Sequence, residues 1–193
     1  MNKSPLLIGI AGLKRSGKDT LAKHMQQRWE RYSGVAPVIA SFADPLRAML
    51  APLLTDLGVR QPYSFMDSDD KDSRILPVVD CTFRKLIQTL GTEWGRGQID
   101  SDMWVKLLLH RARFAEVVIV PDVRFPNEAR LIRCHGVLIH LKRPATGGDG
   151  HISESGVEFQ DGDYVIENGS GLKSLMDQAD QFVMTVGNDR LWV

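Results

Sequence analysis

A chain of 193 residues that is 43% hydrophobic is long enough for one domain with a sizeable core and a small inserted lobe. Its 24 basic and 24 acidic residues cancel to a formal net charge of zero, so no global field draws it to nucleic acid or to a membrane surface, and neither partner is expected. The two cysteines, Cys81 and Cys134, lie far apart without metal-like spacing, which reads as a reduced, cytoplasmic chain.

The first apolar run, Leu6 to Ala11, is too short to span a bilayer and lacks a small-residue cleavage site, so no signal peptide is expected. Its β-branched members suit a buried parallel strand. It leads straight into Gly12-Leu-Lys-Arg-Ser-Gly-Lys-Asp19, a phosphate-binding loop with one departure from the usual pattern. Gly12, Gly17 and Lys18 fit, but Asp19 stands where a magnesium-binding hydroxyl is expected, and Thr20 follows it. Leu21, Ala22, Met25, Trp29 and Tyr32 then recur at helical spacing up to Gly34. Strand, glycine loop and helix in that order aim backbone N–H groups and a helix N-terminus at one point, as polyphosphate requires.

Val35 to Ser41 reads as a second strand. Asp44 is then expected to cap a helix from just before it, accepting from early N–H groups, with Pro45 at the first helical position and Leu46, Met49, Leu50, Leu53 and Leu57 on its apolar face. Residues 60–80 are polar and irregular, a candidate insertion or linker. Thr82 starts a helix with Phe83, Leu86, Ile87 and Leu90 inward, and three glycines between Gly91 and Gly97 are expected to break it. Ser101 can cap a further helix to about Ala115. Val117 to Pro121 is the most strand-like segment, with Asp122 at its end. A helix after Pro126, a strand over 136–141, a Gly- and Asp-rich lid-like loop over 145–162, a strand at Tyr164–Ile166 and a helix from Leu172 complete the chain. Strands alternating with helices imply a parallel sheet covered on both faces. The expected architecture is α/β, a single P-loop three-layer domain over 1–193 with a five-stranded parallel sheet. Residues 60–115 form its small helical substrate-binding lobe.

Lys18 is the phosphate-reaching ammonium. Asp19 or Thr20 can supply a hard oxygen to Mg²⁺, directly or through water. Asp122, ending an apolar strand expected beside the loop, takes the position of a second metal-organising acid, the alternative being an acid that caps a turn. Arg124 points the same way if the chain stays extended, and can stabilise transferring charge or clamp a second phosphate. Glu128 can pair with Arg124 or accept from a substrate. Lys14, Arg15, Arg47, Arg84, Arg124 and Arg143 are spare cations for a phosphorylated acceptor. Trp94 and Trp104, near Gln88 and Thr92, suggest a stacking wall with an amide reader for a nucleobase, against the alternative that both tryptophans are packing residues. Residues 145–162 contain no lysine or arginine, so any cation at the transferring group must come from elsewhere.

Five stretches together carry a family resemblance: Gly12 to Thr20, Ser41-Phe-Ala-Asp-Pro-Leu46, Arg84 to Thr92, Asp102-Met-Trp104 and Asp122-Val-Arg-Phe-Pro-Asn-Glu128. In this order they resemble the phage-type deoxynucleoside monophosphate kinases, P-loop enzymes that move the γ-phosphoryl group of ATP to a deoxynucleoside 5′-monophosphate. The resemblance implies that Gly12, Ser16, Gly17, Lys18, Asp19 and Thr20 hold ATP and magnesium, the metal through Asp19, Thr20 and Asp122. It implies that Lys14 and Arg15 reach both nucleotides, and that Arg84, Gly91, Trp104, Asp122, Arg124 and Glu128 line the monophosphate site, beside Gln88, Thr92 and Trp94. Arg143-Pro144 and Ile166-Glu-Asn168-Gly-Ser170 resemble segments that pass the adenine of ATP in related small-molecule kinases. Lys18, Asp122, Arg124 and Arg15 are then the catalytic set. A kinase for dephospho-coenzyme A or phosphomevalonate, or a nucleotide-binding regulatory module without transferase activity, are the alternatives. Base preference and the choice between monomer and homodimer stay open.

Overall fold

The computed structural model describes residues 4–144 and 157–191, without the side chains of 189–191. The larger part of the expected lid, 145–156, lies outside the described residues. Two units are distinguished along the chain. One comprises residues up to Ser41 and from Leu109 onward; the other is Phe42–Leu108. The sequence places the inserted lobe at 60–115.

The first unit is built on five strands: β1 (Leu6–Ala11), β2 (Val38–Ile39), β5 (Val117–Val123), β6 (Gly136–Lys142) and β7 (Tyr164–Glu167), in the order β2-β5-β1-β6-β7. Every pairing in this sheet is parallel. The apolar runs of β1 and β5 are buried almost throughout, because helices cover both faces. On one face, α1 (Lys18–Ser33) and α8 (Leu172–Leu191) enclose Ile8, Ile10, Met25, Trp29, Leu141 and Phe182. On the other face lies α7 (Pro126–His135). Gly9, alternating with Ile8 and Ile10, lets that helix approach closely, since a methyl there would sit 2.8 Å from Ile132.

The β1–β5 register moves by one residue between the Gly9–Val120 and Ala11–Val123 pairs. Pro121 falls within the shifted stretch and has no N–H to give the ladder, so a bulge is the local solution. The bulge sets Asp122 beside the C-terminal end of β1. The order of the strands also makes this point a switch. The chain leaves β1 through α1 on one face and leaves β5 through α7 on the other, and ligand crevices of open α/β sheets form at such divergences.

The second unit contains α2 (Asp44–Asp56), α3 (Pro62–Asp67), α4 (Asp70–Ser73), the antiparallel pair β3 (Ile75–Leu76) and β4 (Cys81–Thr82), and α5 (Phe83–Gln88). Leu50, Leu54, Phe65, Met66, Leu76 and Phe83 form its core. The polar stretch 60–80 is thus folded into short elements around three buried side chains, Phe65, Met66 and Leu76, whose spacing is too sparse to announce a helix. Asp44 lies inside the first turn of α2 rather than before it. Thr82 caps α5 as expected, its Oγ1 accepting from Lys85 N at 3.2 Å.

The glycines at 91–97 do not break the helix. They widen it into a π-helical segment, Thr89–Ile99, closed by Asp100 N–H donating to Gly95 O at 2.9 Å. α6 (Met103–Ala112) follows, with Asp102 N–H donating to Asp100 Oδ1 at 2.8 Å. No helix among the described residues is long and apolar enough to cross a membrane, and both cysteines are free thiols.

Candidate functional site

The phosphate loop joins β1 to α1, and several of its own residues constrain its shape. Gly12 must be glycine, because a methyl there would lie 2.6 Å from Leu141 O and 3.1 Å from Ser16 Oγ. Gly17, which caps α1, has φ 102°, a left-handed conformation that side chains disfavour. Arg15 adopts the same region at φ 62°, and for a non-glycine residue that costs about 1 kcal/mol. Lys18 Nζ donates to Gly12 O at 2.7 Å and to Leu13 O at 2.6 Å. Lys14, Arg15, Asp19 and Thr20 are exposed.

Ser16 is 2% exposed, and its Oγ is buried without a hydrogen-bond partner. A buried hydroxyl left unpaired costs about 1–3 kcal/mol. In the floor of a loop shaped for anions, this donor fits a phosphate oxygen. Asp19, Thr20 and Asp122 add an all-oxygen donor set, the chemistry magnesium takes when it is held by one or two carboxylates and by substrate phosphates.

At the end of β5 the carboxylate of Asp122 is oriented by a residue the sequence reading did not single out. Ala40 N–H donates to Ile119 O at 3.0 Å, extending the β2–β5 pairing, and Ser41 Oγ then donates to Asp122 Oδ2. Two residues on, Arg124 is exposed. Glu128 meets it through the backbone, and not through an ion pair of side chains. Glu128 is 2% exposed, and its Oε2 accepts the backbone N–H groups of Arg124 at 2.7 Å and Phe125 at 3.0 Å. The acid therefore caps α7 from its third position, where orphan donors and the helix dipole favour a carboxylate. Pro126 opens that helix.

Beyond the loop, the ends of β6 and β7 supply Arg143 and Asn168. Arg143 Nη1 donates to Arg15 O at 2.9 Å, and Asn168 Nδ2 donates to Ser16 O at 2.8 Å. Both residues expected along the adenine thus contact the loop backbone. A cavity of about 480 Å³ adjoins the loop, lined by Gly12, Leu13, Val123, His140, Arg143 and Glu167 among others. At its margin His140 Nε2 meets Asp163 Oδ2 at 2.9 Å, and Arg133 holds the same carboxylate with Nε at 2.9 Å and Nη2 at 2.7 Å. Burial alone would raise the Asp163 carboxyl. The Arg133, Gln160 N–H and His140 hydrogen bonds outweigh it and hold the group down at about 2.

In the second unit Arg84 Nε lies 3.1 Å from Asp72 Oδ1, and Arg47 Nη2 donates to Asp67 Oδ1 at 2.5 Å. Gln88 and Thr92 are exposed and Trp94 is half-buried. Trp104 is 2% exposed, so it lies beneath this surface and not on it. Its Nε1 donates to Gly91 O at 2.8 Å, and its ring fills the space a Gly95 side chain would occupy, 2.3 Å from an added methyl. Of the two readings open for the tryptophans, packing describes Trp104.

Comparison with known proteins converges on one family. Residues 78–179 match the family described as deoxynucleotide monophosphate kinase. The deoxynucleotide monophosphate kinase of Enterobacteria phage T4 is 37% identical, over 89% of this chain and 96% of its own. That of Escherichia phage RB69 is 30% identical over 53% of this chain and 45% of its own. A protein of Acanthamoeba polyphaga mimivirus is 32% identical over 75% of this chain and 77% of its own. With a phosphate loop after β1, an oriented carboxylate in the bulge of β5 and these relatives, the chain belongs to the deoxynucleotide monophosphate kinase family.

Proposed function

We propose that the protein transfers the γ-phosphoryl group of magnesium ATP to a deoxynucleoside 5′-monophosphate by direct in-line displacement, acting on free nucleotides in the cytoplasm. The observation that carries this reading furthest is the pairing of the phosphate loop with Asp122, a carboxylate fixed by Ser41 at the adjacent strand end. Such transfer needs little covalent help from the protein, so positioning and charge neutralisation supply most of the acceleration.

Gly12, Ser16, Gly17 and Lys18 would hold the polyphosphate, with the Ser16 hydroxyl as a buried donor. Asp19, Thr20 and Asp122 would hold magnesium, and the chemistry it would supply there is neutralisation of phosphate charge. Arg124, with Lys14 and Arg15, would bind phosphoryl oxygens whose charge grows during transfer. Glu128 would serve this site by fixing the Arg124 backbone. Arg84, Gln88, Gly91, Thr92 and Trp94 would bind the monophosphate, supported from below by Trp104.

ADP release from magnesium ATP, scanned against a panel of deoxy- and ribonucleoside monophosphates, tests the proposal. At least one deoxynucleoside monophosphate should raise turnover well above the ATP-only rate. A flat panel would sink the kinase reading and favour a nucleotide-binding module, whereas stimulation by dephospho-coenzyme A or phosphomevalonate alone would reassign the acceptor.

A further inference from the structure

We propose that Asn168 and Arg143 are positioning residues for the phosphate loop, fastening two consecutive loop carbonyls from the ends of β7 and β6 so that the loop keeps its anion-binding shape. The contacts are specific. Asn168 Nδ2 donates to Ser16 O at 2.8 Å, while the backbone N–H of Asn168 donates to Lys142 O at 2.7 Å and so ties the residue to the end of β6. One residue beyond Lys142, Arg143 Nη1 donates to Arg15 O at 2.9 Å. Two neighbouring peptide groups are therefore held by two side chains that stand together.

Each carbonyl shares a planar peptide unit with the next residue's N–H, which points the opposite way. Holding Ser16 O outward fixes the direction of Gly17 N–H, and holding Arg15 O keeps Ser16 N–H turned to Leu13 O, to which it donates at 3.2 Å within the loop. The clamp thus preserves a backbone donor at Gly17 and the tight turn behind it, the kind of backbone from which anion-binding concavities are made. Without the clamp the loop has reason to relax, because Arg15 is left-handed at φ 62° and the Ser16 hydroxyl is buried unpaired. Gly17 completes the fit, since a methyl there would lie 2.9 Å from Asn168 Nδ2. Asn168 therefore acts through the loop on any polyphosphate, and not through the base.

The inference rests on the reading of Gly12 to Thr20 as the triphosphate site, and its test uses a probe that has no base. Binding of magnesium ATP and of magnesium tripolyphosphate is measured by calorimetry for the full chain and for Asn168→Ala. The steady-state KM for ATP and for the preferred monophosphate is measured alongside. The variant should bind both polyphosphate ligands about tenfold more weakly, as expected for loss of one well-made hydrogen bond and the order it imposes. The KM for the monophosphate should stay within about twofold. Should Asn168→Ala not fold, Asn168→Asp keeps the shape, sets a carboxylate against Ser16 O and should produce the same paired loss.

Weakened ATP binding with unchanged tripolyphosphate binding would make Asn168 a base reader and overturn the clamp. A lowered Tm with both affinities unchanged would make it purely structural and overturn it equally. If the unaltered protein binds tripolyphosphate but phosphorylates no monophosphate, the kinase reading fails and the clamp stands. If it binds neither ligand, both fail.

Discussion

Arg124 and Ser41 bear on the same end of β5 in different ways, and their variants should separate. Arg124 is exposed, and Glu128 holds its backbone N–H. A cation that meets phosphoryl oxygens chiefly as charge develops should matter to kcat and little to ground-state binding. Arg124→Ala is expected to lower kcat by about a hundredfold or more, with the calorimetric Kd for ATP changed less than about threefold; equal losses in both would mean that Arg124 serves binding instead. Ser41→Ala removes a donor to Asp122, and a smaller fall in kcat, about tenfold, is expected from loss of a charge-assisted hydrogen bond. Glu128 was legible as a partner of Arg124 from the spacing of four alone, yet the contact is with the backbone, a distinction that spacing cannot carry. Ser41 stood in one of the resembling stretches but carried no role there, because that role depends on which strand lies beside β5, and sheet order is set by packing across the whole chain.

The π-helical segment shows where reading by element succeeds and where it stops. Glycines at 91, 95 and 97 argue for a break on propensity, but propensity yields when tertiary contacts reward a wider turn. Gly95 admits the Trp104 indole to a distance no side chain would permit, an added methyl lying 2.3 Å from Trp104 Cζ2, and Gly91 leaves tight room for Leu46, with an added methyl 3.0 Å from its Cδ1. Gly97 has no such neighbour, its added methyl meeting only Thr92 O at 3.4 Å. Gly95→Ala should therefore destabilise by about 1–3 kcal/mol through overpacking, lower Tm and shift tryptophan emission as the indole loses its seat. Gly97→Ala should be neutral, or stabilising by up to about 1 kcal/mol. Chemical denaturation of the pair decides the matter: equal effects would mean that backbone freedom, and not the Trp104 contact, holds the segment. β1 and β5, as unbroken apolar runs, and α1, whose buried residues recur at helical spacing, were readable because their patterns are local. The π segment and the short helices of 60–80 were not, since their stability comes from partners distant in sequence.

At the scale of the whole molecule, the acid limb of the stability curve should carry the signature of one carboxylate. Asp163 has its side chain 2% exposed and receives Arg133, His140 and the Gln160 N–H, joining α7, β6 and the approach to β7. Its carboxyl is ordinarily at 3.8 and is held at about 2. The native state therefore binds fewer protons than the unfolded chain between these values, and stability rises with pH across that window. The contribution is fully present above about pH 4 and is lost as pH falls through the folded value. Its size is about 2 kcal/mol by linkage, an order-of-magnitude figure. Asp163→Asn should remove it, leaving the variant less stable near neutrality by at least that amount, because Arg133 also loses its charge partner in a half-buried setting. The gap between the two proteins should then narrow as pH drops from about 4 to about 2, where the native carboxylate itself takes up a proton. Urea denaturation of both proteins across this range reads the difference directly. A gap that stays constant to pH 2 would mean that the lost packing of the Arg133–Asp163–His140 cluster, and not the charge on Asp163, ties β6, β7 and α7 together.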